Sequence, residues 1–484
     1  MTFNKNILIV AENASLKFGG EAALPLHYFR TLRKRNIEAY LIIHERTRQE
    51  IEALFSEDMD RIYFISDTAI HLFLWRCGKL LPARLSYFTF GVLLRLTTQL
   101  IQRRTIKQII KEKQIDIIHQ PTPVSPKEPS MTFGMGLPVI FGPMNGGMKY
   151  PPGFSYLDNA VASQSLKIGE MFADFINFLI PGKRKATTLL VANQRSKEAL
   201  PNGISGKVIE LIENGVDLSV WQSKSQSEIT ARRKHSSVNS LGRPQAYDSS
   251  TFRGNLETTR TKESCHKIDR SRKQDPVKFV FIGRLVDWKA VDLLLEAFKR
   301  VTEQLSVELE IIGDGIERNN LELKAQELGL IQAGKQTPNQ TLNSTEHINR
   351  DWVNFAGWLA QDKCAERLQS ADVLVLPSLF ECGGAVVLEA MTMGLPVIAT
   401  KWGGPIDYLD ESCGILVEPK SQDLFVGGLT DAMLKLAKSE ELRMAMGQAG
   451  YQKIIERFDW EKKLDKMIDI YEEAITRYQS TKQN

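Results

Sequence analysis

Two glutamates separated by seven residues dominate the chemistry written in this chain. Glu381 and Glu389 lie in Phe380-Glu-Cys-Gly-Gly-Ala-Val-Val-Leu-Glu-Ala-Met391, directly after the apolar stretch Asp372-Val-Leu-Val-Leu-Pro377. A strand, a glycine turn and a helix starting near Gly384 direct free backbone N–H groups and the positive helix end at an anion. A diphosphate suits that position. Glu381 then stands at the mouth of the loop, while Glu389, about two turns along, accepts hydrogen bonds from hydroxyls further down. Such a pair can clamp both ends of a nucleotide sugar. Taken alone, two glutamates around a helix start are equally a solvated face and a dipole partner, so their surroundings decide.

Those surroundings supply cations. Gly283-Arg-Leu-Val-Asp-Trp-Lys289 follows an apolar strand and offers Arg284 and Lys289, which could stabilise the charge that develops as a nucleoside diphosphate departs; the alternative is an ordinary surface pair. Gly313-Asp-Gly315 lacks the third glycine of a dinucleotide fingerprint and reads as a strand-to-helix turn lining a nucleotide. Phe355-Ala-Gly-Trp358 and Gly403-Gly-Pro405 complete the series. In this order the motifs resemble those of glycosyltransferase family 4, whose signature is two glutamates at this spacing, and they cover most of the chain beyond Val277.

The resemblance implies a GT-B fold, two doubly wound Rossmann-like domains of α/β class facing a cleft, and transfer that retains anomeric configuration by front-face displacement. It implies that Glu381 contacts donor-sugar hydroxyls and Glu389 the ribose. The donor is further held by the backbone at Cys382, Gly383 and Gly384 and by turns at Gly283, Gly313 and Gly315, with Arg284 and Lys289 as leaving-group stabilisers. It implies a nucleotide-sugar donor, a glycan or lipid-linked acceptor, and no cofactor or metal. The D-x-D sequence Asp58-Met-Asp60 lies among acidic residues and reads as solvated.

In the first half, Gly19-Gly20 precedes a helix-like segment and resembles the glycine-rich loop that faces the donor phosphates in the family. His119 ends the strand Ile115-Asp-Ile-Ile-His119, at the edge where open α/β sheets bind ligands. It reads either as a structural hydrogen-bonder or, by the family's usage, as a polar helper near the transferred sugar. The glycine- and proline-rich loop from Gly142 to Phe154 carries Asn145, Gly146 and Gly147 and resembles a loop of a bacterial subset linked to surface polysaccharides. Asn145 then bonds acceptor or donor; a rigid turn is the alternative.

These residues need parallel sheets to position them. Short β-branched runs alternate with longer helix-period segments: Ile7–Ala11, Ala39–Ile43, Ile62–Ile65, Ile115–His119, Val139–Gly142, Leu189–Ala192 and Val208–Ile212. Continuous apolar strands separated by helices indicate a sheet covered on both faces. The rhythm restarts at Val277–Gly283 and runs to Ile415–Val417. The expected units are residues 1–218 on the acceptor side, a polar insert at 222–276, a donor-binding unit at 277–458, and a terminal helix within 459–484 returning to the first unit. The insert's 12 Lys/Arg against 6 Asp/Glu outweigh the whole-chain net charge of +4, so the basic balance is no argument for nucleic acid. A second polar stretch, 333–350, reads as a surface loop.

Five scattered cysteines without C-x-x-C spacing suggest neither disulfides nor zinc, and Met1 runs straight into a strand without signal-peptide character, so a cytoplasmic location is expected. Arg84, Arg95, Arg103, Arg104, Lys107 and Lys111 interleave with Phe88, Phe90, Leu93, Leu94 and Ile101. This stretch is too interrupted to span a bilayer. It reads either as a surface docking on the anionic inner face of the plasma membrane or as a helix packed on the sheet with a charged outer face. Two other functions fit parts of the pattern. A glycoside hydrolase also needs two carboxylates, but across a cleft rather than along a turn and helix, and a non-catalytic sugar-nucleotide binder could keep the fold.

Overall fold

The computed structural model describes residues 3–17, 20–81, 86–157, 173–218, 221, 275–332 and 351–483. Gly19, Arg84, most of the polar insert (222–274) and the 333–350 stretch lie outside the described residues. The chain builds two parallel sheets. The first joins seven strands, β1 (Ile7–Val10), β2 (Ala39–His44), β3 (Ile62–Ile65), β4 (Ile117–Gln120), β5 (Val139–Met144), β6 (Thr188–Val191) and β7 (Lys207–Glu210), in the order β3-β2-β1-β4-β5-β6-β7. The second joins six, β8 (Val277–Ile282), β9 (Val307–Ile312), β10 (Val353–Gly357), β11 (Val373–Leu376), β12 (Val397–Thr400) and β13 (Gly414–Val417), in the order β10-β9-β8-β11-β12-β13. All pairings are parallel.

The physical reason is visible in the central strands. β1 and β11 are buried along their whole length, as strands covered by helices on both faces must be. In both sheets the strand order reverses direction at one place, between β1 and β4 and between β8 and β11. Helices leaving to opposite faces open a crevice there, at the carboxyl ends of the strands. His119 and the Gly20 turn lie at the first switch point; Gly283, Arg284 and the Glu381 loop lie at the second.

The C-terminal helix Trp460–Gln483 buries Trp460, Leu464, Met467, Tyr471 and Ile475 in one core with β1, β2 and the Gly20–Lys34 helix. It is tied by Arg35, which donates to Glu461 at 2.8 Å and Asp465 at 2.6 Å. The chain thus crosses between the sheets twice, and the crossings are joined: Val216 N–H donates to the Phe458 carbonyl at 2.8 Å and Trp460 N–H to the Val216 carbonyl at 3.1 Å.

Candidate active site

The loop between β11 and the Ala385–Thr392 helix is shaped by its glycines. Gly384 sits at φ +76°, where a side chain is strained, and its Cβ would come within 3.1 Å of Glu381 Cγ. A Cβ on Gly383 would lie 2.5 Å from both Asn214 Nδ2 and Glu213 Oε1. No side chain caps the helix start, so its first N–H groups remain open to a ligand. Gly404 N–H holds the loop from the other side, donating to the Glu381 carbonyl at 2.8 Å.

At this turn Lys289 and Glu381 meet. Lys289 ends the Asp287–Lys289 turn after β8 and donates through Nζ to Glu381 Oε2, with the two side chains only 15% and 14% exposed. Arg284, nearby in sequence, is exposed, and its side chain makes no hydrogen bond or ion pair among the described residues. Gly283 underlies Lys289, and Gly313 and Gly315 pack their backbones directly against the carbonyls of Gly283 and Leu285, so three turns form one surface. Glu389 is partly buried on the helix, its carboxylate without a hydrogen-bond or ion-pair partner among the described residues, and desolvation alone lifts its pKa to about 7. Burial, and then the adjacent Glu381, push the Cys382 thiol up to about 11; its backbone is what faces the neighbouring groups.

The first sheet closes on this loop. Gly20 approaches so closely that a Cβ there would sit 3.9 Å from Ala385 Cβ, and Glu21 accepts from Val124 N–H at 3.1 Å. Asn145 is not free for a ligand. It is buried, and its Nδ2 donates to the Cys382 carbonyl at 2.8 Å and to Glu213 Oε1 at 2.6 Å, while its Oδ1 accepts from Arg195 and Ser196 at 3.2 Å each. Gly146 is held by Ser196 and Arg195, and Gly147 turns at φ +69° against Arg195. The Asn145 loop thus ties the two halves of the chain together.

His119 is also bonded within the protein. It is fully buried, Nε2 lies 2.7 Å from the Gly142 carbonyl and Nδ1 lies 2.8 Å from the Tyr471 hydroxyl. Both ring nitrogens are used inside the protein, and burial lowers its pKa to about 4, so it stands neutral. Asp58 and Asp60 pair with Arg33 and Arg61 at 2.9 and 2.7 Å. Among the described residues no group of three or more His, Cys, Asp or Glu is placed to hold a metal ion.

Sequence reading missed the buried pair beneath this site. Glu213 follows β7, and Lys463 comes from the C-terminal helix to donate to the Glu213 carbonyl. Desolvation raises the Glu213 pKa and lowers that of Lys463, while each pulls the other back toward its charged form. Glu213 Oε2 is buried without a hydrogen-bond partner among the described residues. Asn145→Ala removes one of the two amide donors to Glu213 Oε1 and the link to Cys382, at an expected cost of about 2–3 kcal/mol. Thermal unfolding should show the midpoint falling by several degrees; an unchanged midpoint removes Asn145 from the tie.

Comparison with known proteins gives this arrangement a context. Residues 266–453 match the family model of glycosyl transferases group 1. Across its full length the chain is similar to Anabaena HepE, solved in complex with UDP, with a TM-score of 0.58 at 16% identity, covering 97% of this chain and 100% of that one. At that identity the likeness shows the fold, which is GT-B. Among curated proteins the chain is 28% identical over 207 residues to the lipopolysaccharide core biosynthesis glycosyltransferase LpsE of Rhizobium meliloti, covering 42% of this chain and 53% of LpsE. It is 30% identical over 209 residues to D-inositol 3-phosphate glycosyltransferase of Saccharomonospora viridis, covering 43% and 45% respectively. The matched segment thus spans about half the length of these relatives. The matches thus give the chain a GT-B fold and a later segment similar to glycosyltransferases.

Proposed function

We propose that this protein is a retaining, family 4-type glycosyltransferase that moves a hexose from a nucleotide sugar to a glycan or lipid-linked acceptor, in cell-surface polysaccharide or glycolipid synthesis. Residues 277–458 hold the donor, and residues 1–218 with 459–484 form the acceptor side. What supports the reading is the open helix start and the Lys289–Glu381 pair at one glycine turn that Gly20 faces from the opposite sheet, with Arg284 in the turn that also carries Lys289 and Glu389 on the helix that leaves the loop. Open amides, Lys289 and Arg284 receive the diphosphate, Glu381 takes sugar hydroxyls and Glu389 ribose hydroxyls.

No metal is assigned, because two cations and a helix end supply the positive charge that a departing diphosphate needs. No protein general base is assigned either: a front-face displacement lets the leaving phosphate receive the acceptor proton. HepE has been solved with UDP-glucose as well as UDP, and LpsE is named for lipopolysaccharide core synthesis; both lend support to a UDP-sugar donor and a surface-glycan acceptor.

The direct test is a binding screen across UDP-, GDP- and ADP-sugars, followed by mass and anomer analysis of the product. One sugar nucleotide should bind saturably and yield a product of unchanged anomeric configuration. Inverted product overturns retention. Tight nucleotide binding without transfer to any acceptor replaces the enzyme by a sugar-nucleotide sensor.

A further inference from the structure

Glu213 is a buried carboxylate distinct from the donor-binding groups. It follows β7, where the chain leaves the first sheet, and is only 5% exposed. Burying a carboxylate is unfavourable, and an apolar side chain of similar size would fill the space at lower cost. Its surroundings show what the charge does. Oε1 accepts from two amides at once, Asn145 Nδ2 at 2.6 Å and Asn214 Nδ2 at 3.0 Å. Lys463, itself buried, donates to the Glu213 carbonyl and to the Asn214 carbonyl at 3.5 Å, so the C-terminal helix holds the backbone that carries both side chains.

An amide nitrogen carries two hydrogens in one plane, and fixing the direction of one fixes the other. Each asparagine gives its first N–H to Glu213, and its second crosses to the other half of the chain. Asn145 Nδ2 donates to the Cys382 carbonyl at 2.8 Å, in the donor loop itself, and Asn214 Nδ2 donates to the Tyr408 hydroxyl at 2.9 Å. Tyr408 ends the Pro405–Tyr408 helix that starts directly after Gly404, whose N–H holds the Glu381 carbonyl. Both crossing bonds therefore bear on the Glu381–Gly384 turn. An ionised carboxylate suits this task because it only accepts, so neither asparagine can turn its own oxygen toward it. Asn145 has a second anchor, since its Oδ1 accepts from Arg195 and Ser196. Among the described residues, Glu213 alone bonds the Asn214 side chain within the first half.

We infer that Glu213 is a positioning residue for the donor loop: it holds the Asn145 and Asn214 amides aimed at the Cys382 carbonyl and the Tyr408 hydroxyl, so that the two halves meet with the loop already seated. It acts only through the two amides. Without it they lose their common anchor, and a smaller fraction of molecules presents the loop to a diphosphate, which lowers apparent affinity by that fraction. The seating of the loop stands on these bonds alone; its consequence for a nucleotide rests on the proposed glycosyltransferase function.

Calorimetric titration of the full-length chain with UDP, GDP and ADP tests it, at a temperature where the compared variants are folded. For the diphosphate that the wild type binds, Glu213→Ala should weaken binding about tenfold or more. Glu213→Gln should bind within about threefold of wild type, because an amide oxygen can accept from both asparagines. In a chain already carrying Asn145→Ala and Asn214→Ala, adding Glu213→Ala should change affinity by less than about twofold, as a residue acting only through them must. Glu213→Ala with Lys463→Met removes both buried charges; its thermal midpoint should recover while its affinity stays about tenfold weak. Where Glu213→Ala alone does not fold, this double variant takes its place. Unchanged affinity on losing Glu213, an undiminished effect in the asparagine-free background, or affinity regained with Lys463→Met each overturns the inference. A wild type that binds none of the three diphosphates removes the proposed function, and hydrogen exchange then decides the inference by itself. The Gly404 and Leu409 amides should exchange about tenfold faster or more in the variant, with β8 and β11 unchanged; equal exchange at Gly404 and Leu409 overturns it.

Discussion

Replacing Lys289 by alanine should lower kcat for sugar transfer by about 100- to 1,000-fold while leaving the donor KM within a few-fold of wild type. The reason is where the ammonium stands before any ligand arrives. Glu381 already holds it at the glycine turn, with both side chains mostly shielded from water. Its position is therefore fixed in advance, and a fixed charge costs no reorganisation when the glycosidic phosphate begins to leave. Removing it leaves Glu381 as an unpaired, partly buried carboxylate, which should cost about 1–3 kcal/mol, small enough for the fold to survive. The rescue experiment distinguishes electrostatics from collapse: Lys289→Ala with Glu381→Gln should recover thermal stability without recovering turnover. A double-mutant cycle should be strongly non-additive in kcat, because the two residues act as one device. Near-normal turnover of Lys289→Ala ends the assignment.

The same comparison explains what could be read in the sequence. The strands were legible because most of the runs are dominated by apolar residues: the expected run at 62–65 is β3 itself, and most of the others differ from the observed strands by one or two residues. The donor loop was legible because its parts are local. Strand, glycine turn, glutamate and helix occupy 20 consecutive residues, from Val373 to Thr392, and physical constraints on that path act between near neighbours. His119 and Asn145 sit in equally suggestive places, and both bond to distant parts of the chain. Their partners, Tyr471 and Cys382, lie 352 and 237 residues away. Nothing in the spacing around a histidine announces that a distant helix will occupy its second nitrogen.

The Glu213–Lys463 pair was illegible for the same reason, with a further one. A charged residue in a polar stretch such as Ile212-Glu-Asn-Gly215 is normally solvated, and only the return of the C-terminal helix dehydrates it. The basic stretch at 84–111 divided rather than agreeing with either single reading. Arg95 and Arg103 belong to the fold, whereas Arg104, Lys107 and Lys111 are exposed.

Glu389→Gln should stabilise the protein and impair it together. Burial raises the Glu389 pKa from 4.5 to about 7, so the folded state keeps a proton that the unfolded chain releases between those values. The advantage of the protonated form is complete below pH 4.5 and is lost as pH rises through 7. Above 7 the dehydrated carboxylate costs up to about 3 kcal/mol, from 1.36 kcal/mol for each pKa unit. Glutamine keeps the shape without the charge. The variant should therefore unfold at a higher temperature than wild type at pH 8 and at nearly the same temperature near pH 4. Donor binding should move the opposite way. Two ribose hydroxyls donate best to the ionised carboxylate, so the wild-type donor KM should fall as pH rises from 6 to 8, while that of Glu389→Gln should be higher and flat. Equal thermal stability at pH 8 removes the burial penalty, and a wild-type pH dependence retained in the variant removes Glu389 from the donor contact. Because the two measurements fail independently, together they separate a carboxylate kept for a ligand from one merely tolerated by the fold.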